Sequence, residues 1–296
     1  MTGPWLVVGT VPNEEVGLRE GVCALESGQL RVGGNPALPV RRGTPALLAA
    51  CCAAAVTLGT PPPMALIAGD AGRGEGSKRA YAHLAAQLPA LAPRGITFHY
   101  LFPDLAGHDR VFLAAQALPR PPMLVADAGF MYAAKMSGQA RDYDLFTPDA
   151  GELAFLADEL APHPFYTRGF LLAEDAQALD LARRAWETGG AARHLLVKGE
   201  NDLVLRQSQC LHTISGPRTP AMEAIGGTGD TLTGMATALL MAGWAIPEAC
   251  ATAAHANRLL GELAAPTPAT AVAELIGHIP EALRRAIDEN ARTLLR

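Results

Sequence analysis

The chain has 296 residues, of which 49% are hydrophobic and 18% charged, with a net charge of −5 and aromatic residues at only 5%. A chain of this size can build one large α/β domain with an ample core. The acidic balance, the absence of a basic stripe and the scarcity of rings exclude a nucleic-acid surface.

The five cysteines, Cys23, Cys51, Cys52, Cys210 and Cys250, are odd in number and form no C-x-x-C pair. They read as reduced, mostly buried small hydrophobes, which fits a cytoplasmic protein. Pro4 and Asn13-Glu14-Glu15 interrupt the start, so no signal peptide is expected. The longest apolar run, 45–59, is too short to span a bilayer and predicts a buried helix.

A short buried strand is expected at 5–9, and a small hairpin at 21–33 turning on Ser27-Gly28. From there the pattern alternates. Helices are expected at 46–58, 77–91, 108–118, 151–159 and 174–188, and strands at 64–68, 96–102, 123–127, 144–146 and 194–197. A hairpin follows at 203–205 and 211–214, and the last third reads as helices over 231–242, 247–265 and 269–295. The segments 161–164 and 264–269 read as loops. Apolar strands alternating with helices predict a mostly parallel sheet covered on both faces. No linker or repeat divides the chain, so a single domain over 1–296 is expected, with 1–42 as its strand and hairpin opening.

In open α/β sheets ligands bind beyond the carboxyl ends of the strands, and several candidates fall there. Gly69-Asp70-Ala71-Gly72-Arg73-Gly74 reads as a phosphate-holding turn or as an ordinary glycine loop. It matches neither the dinucleotide fingerprint nor a Walker A loop. Asp127 ends a strand and reads as a ligand-orienting carboxylate or as a helix cap. Asp149 and Glu152 lie three apart at a helix start behind Thr147-Pro148. Such a pair suits Mg²⁺ bound through water, or simply an acidic first turn. Lys198-Gly199-Glu200-Asn201-Asp202 follows another strand, as a phosphate and ribose contact or as a plain turn.

The most informative run is Gly226-Gly227-Thr228-Gly229-Asp230, which opens an apolar helix. Glycines let backbone N–H groups converge at the positive end of that helix and make an anion cradle. Asp230 reads as a reacting carboxylate or, more plainly, as the N-cap. His255 and Asn257, on the next helix, read as ligand contacts or as packed core residues.

In order, these motifs resemble the ribokinase-like superfamily, and most closely its ADP/ATP-dependent NAD(P)H-hydrate dehydratase family. The residues that carry the likeness are Gly43-Thr44-Pro45-Ala46, Ile67 to Gly72, Asp127-Ala128, Thr147 to Glu152, Lys198-Gly199 and Gly226 to Gly234, so it covers about 43–265. The resemblance implies a three-layer α/β/α sandwich with a mostly parallel central sheet. It implies that Lys198, Gly199, Glu200, Asn201 and Asp202, with Gly226, Gly227, Thr228 and Gly229, hold ATP or ADP. Asp230 becomes the acid/base, Ala46, Gly72, Asp127 and Asp149 contact the substrate, and Glu152 and Asp149 place Mg²⁺. In that chemistry the nucleotide phosphorylates the hydrate hydroxyl, and phosphate then leaves.

Where the dehydratases carry His-Pro, this chain has Asp149-Ala150, closer to the Asn-x-x-Glu of the superfamily's kinases. Three readings follow: a dehydratase acting on NAD(P)H-hydrate, a kinase of a small alcohol, and a nucleotide-binding protein without catalysis. All take a small-molecule partner and neither nucleic acid nor a membrane, and a homo-oligomer is left open.

Overall fold

The computed structural model describes residues 3–158 and 175–294. In chain order the elements are β1 (Trp5–Val11), β2 (Leu18–Glu26), β3 (Gln29–Val32), α1 (Thr44–Leu58), β4 (Met64–Gly69), α2 (Glu75–Leu91), β5 (Gly95–His99), α3 (Leu105–Gln116), β6 (Met123–Asp127) and α4 (Gly129–Met136). Then come β7 (Leu145–Phe146), α5 (Ala150–Ala157), α6 (Asp175–Glu187), β8 (His194–Val197), β9 (Asp202–Arg206), β10 (Gln209–Ile214), α7 (Ala221–Ala224), α8 (Thr228–Met241), α9 (Ile246–Ala264), α10 (Val272–Ile276) and α11 (Ile279–Leu294).

The chain divides into two compact units, one formed by 1–18 and 66–213, the other by 19–65 and 214–296. In the first, the strands run in the order β10-β9-β8-β7-β6-β5-β1-β4. The pairs β1–β5, β5–β6, β6–β7 and β7–β8 are parallel, and β8–β9 is antiparallel. Ile96, Phe98, Leu124, Val125, Ala126, Leu195 and Leu196 are all buried, as continuous apolar strands of a covered parallel sheet require. α2 packs on α3, and α5 on α6. The parallel register puts His99, Asp127, Phe146 and Val197 at one end of the strands, where the first unit's charged side chains gather.

The second unit contains the β2–β3 hairpin and a helical cluster in which α1 lies against α8, and α9 against α8 and α11. α1 is buried from Thr44 through Ala55, so it is apolar on every side. It stops at Gly59, whose left-handed conformation lets its N–H reach the Ala55 and Val56 carbonyls. Gly234 sets the distance to α8: a Cβ there would lie 2.3 Å from the Leu47 carbonyl oxygen.

The structure corrects one expectation. The helix over 269–295 is two helices, α10 and α11, separated at Gly277-His278, with Pro280 in the opening turn of the second. α4 and the single turn of α7 lie in segments to which no element was assigned from the sequence. The expected loop at 161–164, and the ends of the helices expected to reach 159 and to begin at 174, lie outside the described residues.

Candidate active site

In the second unit, Gly227 is the N-cap of α8 with φ 108, and as a glycine it offers no side chain to cap that helix. Only glycine adopts this backbone without strain. A Cβ at Gly227 would also press within 3.2 Å of Val272 and 3.3 Å of the Arg42 Cα. An uncapped first turn leaves its N–H groups aimed outward at the positive end of the helix dipole. Thr228 braces the loop, its hydroxyl 3.2 Å from the Met222 and Ile225 carbonyls. The Thr231 hydroxyl lies 2.7 Å from the Thr228 carbonyl and 2.7 Å from Asn257 Oδ1, and the Asn257 amide donates to that same carbonyl at 3.2 Å.

Asp230 is therefore not the cap that a plain reading expects. It sits three residues into the helix, 8% exposed, and its Oδ2 accepts the Gly43 N–H at 2.5 Å. Gly43 heads α1, in a left-handed conformation with φ 69. A buried carboxylate in the first turn is stabilised by the helix N-terminus, and the Gly43 bond fixes its orientation. Ala46, in the first turn of α1, has no exposed surface to offer a ligand. His255 pairs with Glu289 at 3.3 Å, and Asn257 serves the α8 turn; both join elements of this unit.

In the first unit, Asp127 ends β6 and Lys198 follows β8, the two strands that flank β7. The Lys198 ammonium reaches both oxygens of Asp127, at 2.9 and 3.0 Å, with 14% and 2% of the two side chains exposed. Asp127 Oδ1 also accepts the Ala128 N–H, and the wholly buried His99 brings Nε2 to 3.9 Å of Oδ2. Lys198 is held at the backbone as well, its N–H donating to the Pro148 carbonyl at 2.8 Å. Asp149 caps α5 and forms a reciprocal box with Glu152: each backbone N–H donates to the other's carboxylate at 2.8 Å. One oxygen of each carboxylate is thus bound to the backbone. Glu152 is half-buried by its surface, yet it lies deep among neighbours. Desolvation pushes its pKa up to about 8, with Asp127 and Asp149 adding to the rise and Lys198 opposing it.

The turn after Lys198 closes on itself, Asp202 Oδ1 accepting the Gly199 N–H at 3.2 Å, while Glu200 is exposed and Asn201 half-exposed. Among the described residues no three His, Cys, Asp or Glu side chains gather to hold a metal ion. Asp149 and Glu152 alone fit Mg²⁺ only as partial ligands, with water and phosphate completing the shell.

The glycine turn after β4 is not an open anion cradle. Asp70 Oδ1 accepts the N–H groups of Gly72, Arg73 and Gly74, each at 3.0 Å, and Oδ2 accepts the Ser77 N–H and hydroxyl at 2.8 Å. The chain's own carboxylate occupies the place an external phosphate would take. Gly72 remains an exposed turn residue with φ +87. The Asp in Gly-Asp-Ala-Gly carried that signal, since Asp readily bonds the N–H groups two and three residues on. His99, whose ring backs Asp127, gave no signal beyond its place at a strand end.

The family model described as NAD(P)H-hydrate dehydratase matches residues 108–281. An uncharacterized protein of Methanocaldococcus jannaschii is 37% identical over 220 residues, which are 74% of this chain and 90% of that one. The bifunctional NAD(P)H-hydrate repair enzyme of Pyrobaculum aerophilum is 34% identical over 150 residues, half of this chain and 27% of that protein, so the match spans about a quarter of that relative's length. A ribokinase-like superfamily protein of Enterococcus faecalis superposes with a TM-score of 0.56 at 16% identity, covering 96% of this chain and 87% of that one, which shows the fold alone. On the family match, which spans more than half of the chain, the chain belongs to the NAD(P)H-hydrate dehydratase family, and its fold is ribokinase-like.

Proposed function

We propose that this chain is an adenine-nucleotide-dependent NAD(P)H-hydrate dehydratase with Asp230 as its base. The observation that carries the proposal is the geometry of Asp230: a buried carboxylate in the first turn of an uncapped, glycine-led helix, freed from capping by Gly227 and oriented by the Gly43 N–H. Bound ATP or ADP would supply the phosphoryl group, with Mg²⁺ offsetting its charge. Asp230 takes the proton of the attacking hydroxyl, which makes the oxygen a competent nucleophile. The first-turn N–H groups of Thr228 and Gly229 face the charge that develops on the transferred group, where fixed dipoles need no reorganisation. Lys198 and the 199–202 turn would contact the nucleotide, and Asp149 and Glu152 would help hold Mg²⁺, which would offset phosphate charge. The substrate is a small molecule that lines up with Asp127, Asp149 and Gly72. The cysteines among the described residues are all free, as the reducing cytoplasm would keep them, and no described helix is long and apolar enough to cross a membrane.

Asp149 favours a second reading. It uses its side chain as a helix cap, as the Asn of a kinase Asn-x-x-Glu would, where the dehydratases carry His. A kinase of a small alcohol follows, with Asp230 in the same role. One assay separates the two. The protein is incubated with ATP or ADP, Mg²⁺ and either NADH-hydrate or a panel of alcohols, and the NADH band is followed together with nucleotide turnover. Recovery of the band with stoichiometric phosphate release supports the dehydratase. Nucleotide turnover that leaves a stable phosphate ester supports the kinase, and no turnover with any substrate refutes both.

A further inference from the structure

Beyond the charged cluster, one aromatic side chain stands out at the same end of the strands. Tyr100 follows His99 at the end of β5, and its backbone is left-handed, with φ 53. A bulky residue rarely adopts this conformation, and where one does the surroundings must hold it there. They do: the Thr10 hydroxyl donates to the Tyr100 carbonyl at 2.5 Å, and the ring stands edge-on to His99, centroids 4.4 Å apart at 85°. The backbone two residues on is pinned as well, the Phe102 N–H donating to Ser77 Oγ at 2.9 Å and its carbonyl accepting the Tyr81 hydroxyl at 2.8 Å.

So rigid a mount would suit a core residue, yet Tyr100 is 44% exposed and Phe102 45%. The exposed ring adjoins the charged groups, because His99 is paired in register with Asp127 and reaches its carboxylate. Tyr132 lies in the same neighbourhood: burial raises its phenol, and the charges of Glu152, Asp149, Asp127 and Tyr100 raise it further. An exposed ring, held at a strained backbone position beside a carboxylate–lysine pair, is the arrangement that packs on a flat ligand while the charges fix its polar end.

We propose that Tyr100 determines specificity at this site by packing its ring against the face of the reduced nicotinamide ring of a nicotinamide nucleotide substrate. This deepens the function proposed above and rests on it for the reaction, though not for binding.

The test uses reduced nicotinamide mononucleotide, which carries the ring without adenine, in calorimetry against the parent, Tyr100→Phe, Tyr100→Ala and Tyr100→Gly, with ATP titrated in parallel. Tyr100→Phe should bind within about twofold of the parent. Tyr100→Ala and Tyr100→Gly should bind about tenfold more weakly, with ATP affinity unchanged. Tyr100→Gly relieves the positive φ and should melt no lower than the parent, so its weaker binding reports the lost ring rather than a damaged fold. Equal affinity in the parent and Tyr100→Ala, an equal loss of ATP affinity, or no binding to the parent at millimolar probe overturns the proposal. The same variants in the NADH-hydrate assay keep the two ideas apart. Turnover with KM unmoved by Tyr100→Ala defeats the ring contact alone. Tyr100-dependent binding without turnover defeats the dehydratase reading alone.

Discussion

Asp70 offers the most direct physical test of the first unit. Its two oxygens accept five hydrogen bonds, from Gly72, Arg73, Gly74 and Ser77. Burial alone would raise its pKa, but the bonds from Ser77, Gly74 and Gly72 outweigh burial and hold it below the usual carboxylate value. In Asp70→Asn the amide oxygen can keep one set of donors. The NH₂ must then face the other, where the Ser77 N–H and hydroxyl stand at 2.8 Å in the parent. Removing the carboxylate charge from these bonds and setting the NH₂ against the Ser77 N–H, though the hydroxyl can turn to accept, costs about 2–4 kcal/mol. At about 2 °C per kcal/mol for a chain of this length, the melting temperature should fall by about 4–8 °C.

The pH dependence follows in sign. A carboxyl whose folded pKa is depressed contributes stability above its unfolded value, near 3.8, and loses it as pH falls through the lower folded value. The gap between parent and Asp70→Asn should therefore be full at pH 7 and close in acid below that value. Melting curves by calorimetry from pH 7 down to pH 2.5 measure it. A variant melting within 1 °C of the parent at pH 7, or a gap that widens in acid, refutes the account of the turn.

Glu152 carries the opposite sign. With its pKa at about 8, the folded protein retains a proton that the unfolded chain has released, so stability falls as pH rises from about 4.5 to about 8. Glu152→Gln keeps an acceptor for the Asp149 N–H and removes this penalty, so the nucleotide-free variant should melt above the parent at pH 8 and level with it near pH 4.5; a lower melting temperature at both would contradict the assignment. Gly234→Ala puts a methyl 2.3 Å from the Leu47 oxygen, between backbones that cannot yield cheaply, and should cost about 3 kcal/mol or more in melting experiments. A variant as stable as the parent would show that α1 and α8 approach less closely than described.

Much of this was legible in the sequence because the signals were local. Period-two and apolar-run patterns located the strands, and Gly59 and Gly226-Gly227 marked where helices stop and start. The Asp149–Glu152 spacing marked a helix start, and the structure makes that pair a capping box. What stayed hidden depends on distant partners. Nothing local tells that Gly43 binds Asp230, 187 positions away, or that Asp127 takes Lys198, 71 positions away. Asn257 read as a candidate ligand because its partners lie on the preceding helix. The two compact units were invisible for another reason. The chain passes from one to the other at 18/19, 65/66 and 213/214, at or within strands β2, β4 and β10, where no linker composition marks a boundary.

The central claim is that Asp230 moves a proton rather than capping a helix, and Asp230→Asn tests it. Asn keeps an acceptor for the Gly43 N–H and nearly the same shape, while it cannot take the hydroxyl proton. Turnover of NADH-hydrate or of the phosphorylated alcohol is measured beside the melting curve and the nucleotide affinity. The account predicts a loss of at least about a hundredfold in rate, the usual contribution of a general base, with melting temperature and nucleotide affinity close to the parent's. A variant that folds, binds nucleotide and turns over at the parent rate would contradict it.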